Sequence, residues 1–348
     1  MSDADLEELV ERVFSEKAGH AAAIEAERTS LLTELWETVA ELGLPWIGVD
    51  EEAGGSGGEL ADVVTLLRAS GRHAVPLPWL ENHLATWAFT LSGGRLEPDG
   101  PWTIAPGTPQ DTLTLDGDVA TGDLFDVAWG ASASRVVALV EAGSATRLVV
   151  LDPSQAEVSE GRDLAGQPRD VLSVHEAHAH VLDSAVTVEQ LRRRGAVLRA
   201  AQMDGAMQAV YDITKKYTAE RQQFGRPIGT FQAVRSHIVT LAQMAVMTRL
   251  CVDRAAAALA AGEEGSFAAY ATKLLADQNA ALSIKSGHQA HGAIGMTREY
   301  ALQDHTRRLN AWRGDWGTER ALAGRIGSAV ADAGRIATVA TDAGSLAV

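Results

Sequence analysis

Residues 217–237 read YTAERQQFGRPIGTFQAVRSH. Arg221, Gln223 and Phe224 put a planar cation, an amide and an aromatic face side by side, with Gln232 further on. A guanidinium forks onto phosphate oxygens, an amide both donates and accepts, and an aromatic ring stacks on a base. The set suits the pyrophosphate and adenine of a dinucleotide. The same stretch also reads as a plain corner between helices, with Gly225 ending one and Pro227 preparing the next. Residues 289–308, QAHGAIGMTREYALQDHTRR, bring Gln289, Gly292 and Gly295. Glycines there permit close backbone approach to a phosphate or sugar, although a helix end alone would also use them. Residues 313–321, RGDWGTERA, look like a helix start with an indole, Trp316, set before the glycine. His288 and His291, with Asp304 and His305 downstream, read as packing or surface residues, so no metal is expected.

The elements that must position these residues follow from periodicity. Residues 1–97 read as a helical domain: apolar residues recur at three and four through LEELVERVFSEKAGHAAAIEAERTSLLTELWETVAELGL, with Gly43 as a stop. The glycines of EEAGGSGGEL make a loop, and helices follow over about 58–72 and 79–91. Residues 98–186 form a small β domain, where DTLTLDGDVATG, RVVALVEAG, TRLVVLDP and RDVLSVHEAHAHVL read as antiparallel strands between turns. Residues 187–348 return to long helices, about 188–219, 229–262, 265–291 and 318–345. Apolar positions cover most of their circumference, which predicts a bundle packed against other helices, including those of another subunit. The basic run of Arg192, Arg193 and Arg194 reads as a solvated helix start, and Trp36, Trp46, Trp79 and Trp87 as core or interface residues. The fold class is mainly α with a small β domain.

Composition excludes several functions. With 348 residues and 46% hydrophobic content the chain can bury a large core. A formal charge of -16 argues against nucleic acid and anionic membrane, which need clustered Lys and Arg. No apolar run is long enough to span a bilayer, no leader pattern is visible, and the single Cys251 suits a reducing compartment. The expected location is cytoplasmic, with no membrane insertion.

Arg-x-Gln-Phe-Gly-x-Pro-Ile followed by Phe231-Gln232-Ala233 closely resembles the signature in the C-terminal helical domain of acyl-CoA dehydrogenases, FAD enzymes with a helical, β, helical plan. The likeness extends through residues 289–308, with Ala293 in place of a glycine, and back to ELGLPWIGVDEEAGGSGG, with Asp50 in place of a proline. It implies a four-helix-type bundle, an oligomer, and FAD bound across the subunit boundary. Arg221, Gln223, Phe224 and Gln232 would then reach FAD held mainly by a neighbour, while Gln289, Gly292 and Gly295 would bind its ADP portion. Acyl-CoA as substrate and an electron-transfer flavoprotein as redox partner follow from the same resemblance.

The chemistry that the resemblance implies removes an α-proton from a thioester while a hydride leaves the β-carbon, and this needs a carboxylate base. Counted from Gln289, the family's glutamate before Gly-Thr falls on Trp316; its second location falls on Gly195. Neither can take a proton. Asp315 is the neighbouring substitute. The family's Thr-Glu-x-x-x-Gly-Ser-Asp and Trp-Ile-Thr-Asn segments, which hold the flavin ring, have no counterpart between Trp79 and Leu191. The chain therefore resembles the shorter, base-lacking subunit of actinobacterial heteromeric acyl-CoA dehydrogenases for steroid side chains, and GRHAVPLPWLEN (71–82) has a similar look. A paralogous subunit is the implied partner and a bulky acyl-CoA the implied substrate. A complete flavoenzyme using Asp315 and a non-enzymatic scaffold are the other readings.

Overall fold

A computed structural model describes residues 3–97, 99–143, 145–262 and 266–333. In chain order these form helices α1 (Asp3–Lys17), α2 (His20–Thr29), α3 (Thr33–Glu41), α4 (Leu60–Arg72) and α5 (Trp79–Leu91). Strands β1 (Trp102–Ile104), β2 (Thr114–Asp116), β3 (Val119–Ala128), β4 (Arg135–Ala142), β5 (Ala145–Leu151), β6 (Ala156–Ser159), β7 (Arg169–His178) and β8 (His180–Asp183) follow. Then come α6 (Val188–Glu220), a hairpin of β9 (Gln222–Gln223) and β10 (Arg226–Pro227), α7 (Gln232–Ala260), α8 (Ser266–His291), α9 (Leu302–Trp312) and α10 (Glu319–Asp332). Among the described residues no helix is long and apolar enough to cross a membrane. The expected extension of the last helix to residue 345 falls, beyond residue 333, outside the described residues.

The chain divides into two compact units, one of residues 1–23, 64–75 and 196–348, the other of residues 24–63 and 76–195. The second unit holds the two four-stranded sheets, of order β1-β4-β5-β8 and β2-β3-β7-β6. Over its first six residues β7 alternates half-buried and buried positions, and Leu124, Val127, Val136, Val149, Leu172 and Val174 build the core. The expectation of wholly antiparallel strands is corrected at one place: β1 runs parallel to β4, pairing Thr103 with Val136. All three residues of β1 are buried, so no alternation marks it in the sequence. Helix α5 packs on this edge. Asn82 accepts from the Trp102 amide at 2.9 Å and donates to the Pro45 carbonyl at 2.7 Å, and the Phe89 ring lies 4.9 Å from that of Trp102.

In the first unit α4 and α6 cross at two glycines. A Cβ on Gly71 would stand 1.9 Å from the Gln202 carbonyl oxygen, and one on Gly205 would stand 1.9 Å from that of Arg68. Only hydrogen fits at either place. Arg68 fixes the same crossing by pairing with Asp204 on α6 at 2.5 Å and with Asp253 on α7 at 2.7 Å. The helical pattern near the N-terminus is broken into three helices, because Gly19 (φ 99°) and Ser30 (φ 67°) are left-handed and interrupt it, and Gly43 (φ 73°) follows α3 as expected.

Candidate active site

The β9–β10 hairpin leaves α6 through a bond from the Arg221 amide to the Tyr217 carbonyl, and the Ile228 amide closes it on the Arg221 carbonyl. Arg221, Gln223 and Phe224 are exposed on it, Phe224 at 91%. Phe224 is also left-handed (φ 53°) and meets the Phe231 ring edge-on at 6.0 Å. The Arg226 guanidinium lies over the Phe231 ring, 4.2 Å from its centroid. A bulky ring held in solvent at a strained angle is poor use of a residue within one chain, and suits a ring that meets a ligand or a second subunit.

The second motif sits close by. Tyr217 stacks on His291 at 4.5 Å, and Tyr300 packs against both, which joins the end of α6 to the end of α8. Burial pulls the pKa of His291 below the ordinary imidazole value, and its Nδ1 faces the Gly287 carbonyl at 2.9 Å. Gln289 and Gly292 are exposed beside this cluster. Gly292 is left-handed (φ 66°), and among the described residues no atom beyond its own chain neighbours lies within 4 Å of where its Cβ would stand, so its backbone is open to approach there. Gly295 is different. A Cβ there would meet His291 at 2.9 Å and Leu302 at 3.0 Å, so internal packing takes up the space. Gln232 opens α7 and is exposed. The exposed donors of Arg221 and Gln223, the Phe224 ring as a stacking face and the open backbone at Gly292 fit the chemistry of the ADP half of a flavin dinucleotide.

The turn between α9 and α10 holds Trp316. Thr318 caps α10 by accepting from the Ala321 amide at 3.3 Å, as the Gly-Thr pair suggests. Trp316 is left-handed (φ 57°), and its indole packs with Ala196, Tyr270 and Leu322 beside Leu274 and Ile326. Ala196 directly follows Gly195, the other base location that the resemblance implies. Asp315 is engaged as well. Arg199 Nη2 donates to its Oδ2 at 3.0 Å, with the two side chains only 3% and 10% exposed. Arg199 also donates to Gln202 and lies 5.2 Å from the Trp312 ring. Close by, Lys273 and Asp277 form a fully buried pair at 2.5 Å. Burial raises Asp277 to about 7 and lowers Lys273.

In the other unit, the solvated reading of the arginine run is corrected. Arg193 pairs with Glu189 at 3.0 Å, one helical turn back, and Arg192 donates to the Gly107 carbonyl at 3.2 Å. Arg194 turns inward, 4.4 Å from the Trp87 ring, and donates to His83 Nε2 from Nη2 at 3.1 Å and from Nε at 3.3 Å. The helix begins at Val188, so position 194 falls on the same side as buried Leu191 and Leu198, and charge alone misreads it. Trp36 and Trp79 are buried, and Trp46 and Trp87 half-buried.

The chain matches the C-terminal domain of acyl-CoA dehydrogenases over residues 185–331 and the N-terminal domain over residues 3–94, together more than half of its length. This protein belongs to the acyl-CoA dehydrogenase family. Among its relatives, acyl-CoA dehydrogenase IpdE2 of Mycobacterium tuberculosis is 28% identical over 313 residues, covering 88% of this chain and 90% of the relative. A solved variant of the Tcur3481–Tcur3483 steroid acyl-CoA dehydrogenase shares the fold with a TM-score of 0.87 at 24% identity, over 95% of this chain and 98% of that one. The ChsE4–ChsE5 complex of Mycobacterium tuberculosis does so with a TM-score of 0.84 at 19% identity, over 95% and 97%. The acyl-CoA dehydrogenase fold, mainly helical with a small sheet region, is thus shared along almost the whole chain.

Proposed function

We propose that this chain is the subunit without the proton acceptor in a mixed FAD-dependent acyl-CoA dehydrogenase, working beside a paralogue that supplies the carboxylate. The observation that carries the reading is Trp316: counted by the resemblance, an indole takes the place of the family's base, and it packs half-buried against Ala196, Tyr270 and Leu322. An indole accepts no proton from carbon. The adjacent Asp315 is committed to Arg199, so the reading that uses it as the base lacks a free carboxylate. Support comes also from the relatives, since the Tcur3481–Tcur3483 and ChsE4–ChsE5 structures are named for two different components.

In this reading FAD supplies the hydride acceptor. Arg221 holds its pyrophosphate, Gln223 and Gln232 bond its polar edges, and Phe224 covers the adenine from the exposed hairpin. Gln289 and the open backbone at Gly292 meet the ADP portion, with Gly295 shaping the turn beneath them. These contacts reach a cofactor seated mainly in the partner, because the segments that grip the flavin ring are missing from this sequence. A bulky, steroid-derived acyl-CoA is the proposed substrate and an electron-transfer flavoprotein the proposed electron acceptor. The test is flavin content: the chain purified alone should be nearly colourless, whereas co-purification with a paralogue carrying Glu-Gly-Thr should give a yellow complex. Stoichiometric flavin on the isolated chain would sink the shared-site reading.

A further inference from the structure

Arg68 and Arg199 each face a carboxylate in the interior, at 2.5 Å and 3.0 Å. Arg194 faces none. Its partners are the imidazole of His83 and the ring of Trp87. His83 does not offset the charge, since burial first and Arg194 second hold it well below the ordinary imidazole value and keep it neutral. Burial without an anion also pulls the guanidinium itself down to about 10. A cation so placed is poorly solvated and uncompensated, a state that natural interiors avoid unless something else brings the counter-charge.

The donors left over point to what that is. Nε and one Nη2 proton are spent on a single imidazole nitrogen, whereas Nη1 has no partner among the described residues and is not among the fully buried polar atoms. The side chain keeps part of its surface open, so an incoming group can reach it. We infer that Arg194, propped by His83 and Trp87, is a subsite for a carboxylate carried on the acyl group of the bound thioester. One carboxylate matches one guanidinium charge for charge and can take its Nη1 and remaining Nη2 donors together. Trp87 stacks on the guanidinium and His83 holds its other edge, so the fork is set before ligand arrives. The inference rests on the acyl-CoA reading above.

Titration calorimetry on the full chain, alone and with its co-expressed paralogue, separates the two claims. The probes are succinyl-, glutaryl-, adipoyl- and suberoyl-CoA against butyryl-, pentanoyl-, hexanoyl- and octanoyl-CoA, with free CoA as control. At least one ω-carboxylated thioester is expected to bind about tenfold or more tighter than its uncharged match. Arg194→Gln should remove that preference while leaving the uncharged thioesters and free CoA unchanged, and Arg194→Lys should keep part of it. A guard against misfolding is the melting temperature, which Arg194→Gln should hold or raise, because it removes an uncompensated charge. Equal affinity for the two series in the wild type overturns the subsite and leaves the acyl-CoA reading standing. So does a loss in Arg194→Gln that falls equally on free CoA, which would place a CoA phosphate there. Binding of no thioester at all overturns both.

Discussion

Trp316 is left-handed yet not glycine, and such a residue persists only where its surroundings hold it. Ala196, Tyr270 and Leu322 do so here, which makes the indole a packing residue besides the place that the proposed reading gives it at the family's base position. Trp316→Glu should therefore lower stability by about 2 kcal/mol through lost apolar burial. It should not give the isolated, flavin-reconstituted chain dehydrogenase turnover, because the proposed reading has the flavin-ring segments missing too. Turnover in that variant would show that the base was the only defect. Asp315→Ala strands the guanidinium of Arg199 in the interior, and a loss of about 3 kcal/mol in denaturant unfolding is expected. If Asp315 were instead the base, the variant would lose rate while keeping its stability.

Helix crossings and buried polar helices carry the next scale. At the α4–α6 crossing a methyl group on Gly71 would collide with backbone that cannot rotate away. Gly71→Ala should cost about 3 kcal/mol or more, seen as a lower melting temperature or loss of soluble protein. Helix α9 makes a pH prediction. Burial, helped by Arg308, lowers His305 from the ordinary 6.5 to about 3. The unfolded chain then binds a proton that the folded chain refuses between those values. Stability should fall by about 1.4 kcal/mol per pH unit as pH drops through that window, and His305→Gln should flatten the slope. Much of this scale was legible in the sequence. Long apolar periodicity marked α6, α7 and α8 to within about three residues, and Gly-Thr marked the start of α10. Helix α9 was not, because it buries Gln303, Asp304, His305 and Arg308, and polar residues read as surface. Nor was the inward turn of Arg194, for the same reason. Gly71 and Gly205 each look like ordinary helix-weakening glycines until the two helices are brought together.

For the whole molecule, the sequence identified the family through Arg221, Gln223 and Phe224, and the hairpin's exposure is compatible with the proposed contact to a neighbour's cofactor. Helix α7 also exposes Val239, Val246, Met247 and Leu250, the last at 65%, a row that a second subunit would cover. Leu250→Glu should weaken assembly in sedimentation without lowering the thermal stability of the separated chain. In the proposed reading this chain lacks the base and the flavin-ring contacts, and the two make one account only if a partner restores both. Anaerobic reduction of flavin by acyl-CoA tests that most directly, using the mixed complex and a version whose paralogue has its Glu-Gly-Thr glutamate changed to glutamine. The account predicts that the mixed complex bleaches, that the altered complex binds flavin but does not bleach, and that this chain alone does not bleach. Bleaching by this chain alone, or by the complex without the paralogue's glutamate, would contradict it.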